Sequence, residues 1–94
     1  MITLDMKPIP NPDVVARIVD HEAVLVLPAK GQVKVLNEVG ARIWSYLNGV
    51  RTVSDIIDMI HTEYSVSAQD AQEDTCEFLN QLADREIITF ADNL

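Results

Sequence analysis

Apolar residues change their spacing once along this chain, near residue 36. Before that point, Val14 to Asp20 and Glu22 to Pro28 are dense in Val, Ile and Leu, broken at Asp20-His21 and ended by Pro28. β-Branched runs bounded by turn residues predict two strands of a hairpin. Ala29-Lys30-Gly31 supplies the next turn. In Gln32 to Leu36 the polar Gln32 and Lys34 alternate with Val33 and Val35, the period-two pattern of a third strand. Beyond residue 36 the spacing is helical. Asn37 is a suitable N-cap, Glu38 puts a carboxylate in the first turn, and Val39, Ile43 and Leu47 make one stripe. Trp44, the single tryptophan, lies beside that stripe and is expected to be a core anchor. Asn48-Gly49 stops the helix. Thr52 and Asp55 open a second with capping-box spacing, its apolar face made by Val53, Ile56, Ile57, Ile60 and Tyr64. After a break at Ser65-Val66-Ser67, Ser67 and Asp70 repeat the signature and start a third helix that should run to about Arg85. Ile87 to Phe90 is short and apolar, a final strand or a packed tail.

This order predicts an α+β fold: a three-stranded antiparallel meander, then three helices, the last two joined as a helix-turn-helix in a winged-helix-like arrangement. A single domain over residues 14–90 is expected, with a tail at 91–94. In residues 1–13, Pro8, Pro10 and Pro12 alternate with Ile9 and Asn11, which favours extended backbone and forbids helix; a loosely held arm is the expectation. With 94 residues the chain holds one modest core and little room for an enclosed active site, which argues against an enzyme.

Charge narrows the partners. Fifteen acidic against seven basic side chains give a net charge of −8, which repels phosphate backbones and anionic lipid alike. The helix that would read DNA in a winged-helix protein carries Asp70, Glu73, Asp74, Glu77, Asp84 and Glu86 against Arg85 alone. A DNA-binding regulator is therefore the disfavoured alternative. No apolar run approaches a membrane span and no signal-peptide pattern is present, so a cytoplasmic protein is expected. The single cysteine, Cys76, fits a reducing compartment.

Catalytic groupings are thin. His21 and His61 have no Cys, Asp or Glu at ligand spacing that ties them together, so neither a metal nor a cofactor is expected. Cys76 has the acidic neighbours Glu73, Asp74 and Glu77, which would raise its pKa rather than activate it. The three glycines, at 31, 40 and 49, are dispersed and form no phosphate loop.

Four stretches, taken in order, carry a family resemblance: Asn11-Pro12-Asp13-Val14-Val15, then Leu36-Asn37-Glu38-x-Gly40-Ala41-Arg42-Ile43-Trp44, then Arg51-Thr52-Val53, then Phe78-Leu79-x-x-Leu82. Together they cover residues 11 to about 88 and resemble the PqqD family of pyrroloquinoline quinone biosynthesis. The resemblance implies a non-enzymatic peptide chaperone, a recognition element for ribosomally made and post-translationally modified peptides. Such a protein binds the leader segment of a precursor and presents it to a modifying enzyme, often of the radical SAM class. Two positions depart from the family: Glu86 stands where a glycine often ends the last helix, and His21 where another often sits in the first hairpin.

A physical mechanism follows from the elements. The third strand, Gln32, Val33, Lys34, Val35 and Leu36, can lie at a sheet edge and accept an extended peptide as a further strand. The other wall is expected from the third helix, where Ala71, Thr75, Phe78 and Leu82 are assigned to the core and Gln72, Cys76, Leu79 and Ala83 to a shallow groove. Alternatively, both stripes are core and another copy of the chain covers the edge, so monomer and homodimer are both open. A structural adaptor differs from the chaperone only in its ligand.

Overall fold

The computed structural model describes residues 2–91. Its elements run β1 (Pro8–Pro10), β2 (Val15–Val19), β3 (Glu22–Leu27), β4 (Gln32–Leu36), α1 (Glu38–Tyr46), α2 (Val53–Tyr64), α3 (Ala68–Asp84) and β5 (Ile88–Phe90). Met1 and the expected tail beyond Ala91 lie outside the described residues.

The meander is present, in the order β2-β3-β4, and the fold is α+β as expected. Val19 pairs with Glu22 across a two-residue loop, with Asp20 in the left-handed region at φ 57, which a short polar side chain tolerates. Leu27 pairs with Gln32 across a 3₁₀ turn at Pro28–Lys30, closed by Gly31 at φ 61. Alternation divides the sheet into two faces. On the inner face Ala23, Leu25, Leu27 and Leu36 are buried. On the outer face Val24 and Val26 are half-buried while Val15, Val19, Val33 and Val35 are exposed.

Each helix starts where its cap was expected. Asn37 Oδ1 accepts from the Gly40 N–H at 2.9 Å, and Ser67 Oγ accepts from Asp70 N–H at 3.0 Å. Thr52 and Asp55 complete a reciprocal capping box at 3.1 and 3.0 Å. The helices close the core with Ala41, Ile43 and Leu47 from α1 and its C-cap, Val53, Ile56, Ile57 and Ile60 from α2, and Ala71, Leu79 and Leu82 from α3. Each buried Leu or Ile contributes on the order of 1.5–3 kcal/mol by area removed from water. Trp44 is only half-buried and packs on the rim of this core. One residue of helix turns by about 100°, so placing Ile43 at the centre carries the neighbouring indole to the side.

The stretch expected as a loose arm is instead paired. Pro8, Ile9 and Pro10 lie antiparallel to Phe90, Thr89 and Ile88. The same proline spacing that enforces extended backbone also suits a strand at the edge of a two-stranded sheet, where missing N–H groups cost nothing. Carbonyls do the work there: Pro8 O accepts from Gly49 N–H at 3.1 Å and Lys7 O from Ala91 N–H at 2.9 Å. Upstream, Met6 O and Leu4 O accept at 2.8 and 2.9 Å from Val53 and Ser54, the first two N–H groups of α2.

Candidate functional site

β4 is an edge strand with β3 as its single neighbour, so one row of its backbone N–H and C=O groups has no partner in the sheet. Its inner-face side chains Gln32 and Lys34 are half-buried, and Leu36 is buried. Val33 and Val35 face outward and are 59% and 66% exposed.

Contacts near the two ends of β4 bring α3 toward this edge. Near the start of β4, Lys30 forms an ion pair with Glu86, just past the end of α3, and Asn11 Nδ2 donates to Glu86 O at 3.0 Å. At the other end of β4, a methyl group placed on Gly40 would lie 3.4 Å from both Leu36 Cβ and Phe78 Cε1. β4 therefore extends from the C-terminus of α3 back to Phe78 at its middle. Asp74 and Gln81 of α3, and Arg85 at its C-cap, share a row with Phe78, spaced at −4, +3 and +7. All three are exposed and Phe78 is half-buried. The unpaired strand edge and the half-buried Phe78 ring are therefore neighbours at the Leu36 end of β4.

Not all of the expected α3 wall is open to solvent. Leu79 is 0% exposed and belongs to the core, because the buried arc of α3 is Ala71, Thr75, Leu79 and Leu82. Phe78, expected in the core, is half-buried and packs against it. Gln72 is exposed, and Cys76 and Ala83 are half-buried. At 100° per residue these three sit about 120–160° around α3 from Phe78, on its opposite flank. Gly40 is the sequence signal for Phe78: a residue without a side chain inside the first turn of a helix leaves room for something large.

Cys76 has its pKa pushed up by burial, not by the acidic neighbours that the sequence suggested, and this holds it as a thiol. Two buried side-chain oxygens, Gln32 Oε1 on β4 and Thr75 Oγ1 on α3, have no hydrogen-bond partner. Among the described residues no three His, Cys, Asp or Glu side chains converge, and no helix is long and apolar enough to cross a membrane.

Solved structures share this architecture. TbiB1, in complex with the TbiA(beta) leader peptide, is 36% identical to this chain, covers 89% of it and 99% of its own length, and superposes with a TM-score of 0.78. A lasso peptide synthetase B1, complexed with the leader peptide, has the same TM-score at 22% identity, covering 88% of this chain and 98% of its own; that likeness is one of fold. Comparison with curated proteins gave no match. The family described as coenzyme PQQ synthesis protein D (PqqD) matches residues 22–88, from the start of β3 to β5. The chain belongs to the PqqD family.

Proposed function

We propose that this chain is a non-catalytic peptide chaperone. It binds the leader of a ribosomally made precursor as a strand added to β4 and presents the precursor to a peptide-modifying enzyme. The observation that carries this reading is the unpaired β4 edge lying next to the Phe78 row of α3. Support comes from TbiB1, 36% identical and solved with a leader peptide bound. Backbone bonds to Gln32–Leu36 supply affinity, and side-chain contacts with Lys34, Phe78, Gln81 and Arg85 supply specificity. The enzyme is of the radical SAM class or another peptide-modifying class, in pyrroloquinoline quinone biosynthesis or a sister pathway. The chain acts in the cytoplasm, where ribosomes release such precursors.

Titrating the ¹⁵N-labelled chain with the TbiA(beta) leader tests the reading. Amide shifts should concentrate on residues 32–36 and on Phe78, Gln81 and Arg85. Shifts confined to Gln72, Cys76 and Ala83 would move the peptide to the opposite flank of α3, and shifts over residues 53–64 would defeat the proposal.

A further inference from the structure

Presentation, on the reading just given, requires the leader and the enzyme to be held together, and a sheet with two free edges offers two places to do so. The second edge is β2. It has one neighbour, β3, and all five of its residues are exposed. Its inner side is open as well. Ile18 is in register with Ala23 on the inner face, yet Ala23 is 0% exposed and Ile18 is 62% exposed, so the helical layer stops one strand short of this edge. What remains is a cleft of about 570 Å³ between the β2–β3 hairpin, α1 and the end of α2.

Ile18, Ala41 and Tyr64 give this cleft an apolar floor, and Asp20, Glu38 and Glu63 line it with carboxylates. Glu63 is already engaged: Arg42 Nε lies 2.8 Å from one oxygen, and the Tyr46 hydroxyl donates to the other at 2.5 Å. Asp20 and Glu38 have no ion-pair partner among the described residues. The cleft therefore presents negative charge beside a bare strand edge.

We propose that β2 is a second strand-addition site, and that its occupant is an extended basic segment of the modifying enzyme. Charge selects that occupant over a second copy of this chain, since two bodies of net charge −8 repel while a basic segment is drawn in. Pleating adds a sequence signature. Side chains of the added strand alternate between the cleft, where Asp20 and Glu38 favour Lys or Arg, and the outer face, where Val15 and Val19 favour aliphatic residues.

The probe is a capped heptapeptide alternating lysine with valine, compared with its glutamate–valine counterpart, titrated into the full ¹⁵N-labelled chain. Expected are shifts over residues 15–21, 38–45 and 63–64, and binding of the lysine peptide about tenfold tighter than the glutamate peptide, weakening as salt rises. The double variant D20N/E38Q should lose about fivefold in affinity for the lysine peptide while binding the TbiA(beta) leader as the parent does. Asparagine accepts the left-handed backbone at position 20, so this variant keeps the hairpin. Equal affinity for the two peptides, no loss in D20N/E38Q, or lysine-peptide shifts on residues 32–36 would each overturn the proposal. So would a dimer in sedimentation equilibrium that Ile18→Lys dissolves. A leader titration that fails while the lysine peptide still binds at β2 would instead count against the reading of β4.

Discussion

The two sheets of this protein differ in length and in how they are held. β1 and β5 have three residues each, yet the backbone around them is tied to α2, to the loop after α1 and to Asn11. The β2-β3-β4 sheet has strands of five and six residues, packs one face on the core, and leaves both edges and a valine-rich outer face to solvent. Strand length therefore says little about role here. The short pair closes the domain, and the long strands stay available for addition.

Four changes would break or sharpen this contrast. Leu79→Asp puts a charge at a 0% exposed position in the core, and should cost more than about 4 kcal/mol, read as loss of cooperative unfolding by circular dichroism. Removing residues 1–7 strips the Leu4 and Met6 carbonyls from the start of α2, together with the packing of Ile2 and Met6. A loss of about 2–3 kcal/mol in urea denaturation is expected, with leader affinity intact at temperatures where the chain is folded. On the longer sheet the balance reverses. Val33 and Val35 stand two apart on β4, so their N–H groups point to the same side, away from β3 by the register. Val33→Pro or Val35→Pro should cost less than about 1 kcal/mol of stability and at least about tenfold in leader affinity by fluorescence anisotropy. Smallest is Thr75→Val, which removes a buried hydroxyl without a partner at nearly constant volume; a gain of about 1 kcal/mol is expected from thermal melts.

How much of this was legible in the sequence depended on range. The strands at 15–19, 22–27 and 32–36 and the caps at Asn37, Thr52 and Ser67 match expectation to within a residue, because turn and cap chemistry acts within three or four positions. The β4 edge was legible too, as the last strand of a meander. Pairing of Pro8 with Phe90 was not, since nothing local in either stretch names the other. The place of Leu79 on α3 was misread for a different reason. Phe78 and Leu79 are both apolar neighbours, and a rotation of one residue decides which of them lies inside the buried arc and which at its margin. Family departures read in the same way: Glu86 does occupy a glycine-like conformation, at φ 61, whereas in the first hairpin the left-handed residue is Asp20 and not His21.

The clasp at the start of α2 also orders events in time. Val53 and Ser54 find their acceptors in Met6 and Leu4, and the strand just after those acceptors is pinned by β5, which leaves the ribosome after every other element described here. A nascent chain can build the meander and its helices early, but it cannot lock this clasp until residues 88–90 emerge, and closing so long a loop is slow. Exchange of the Val53 and Ser54 amides thus serves as a clock for completion, separating a finished domain from one that is merely collapsed.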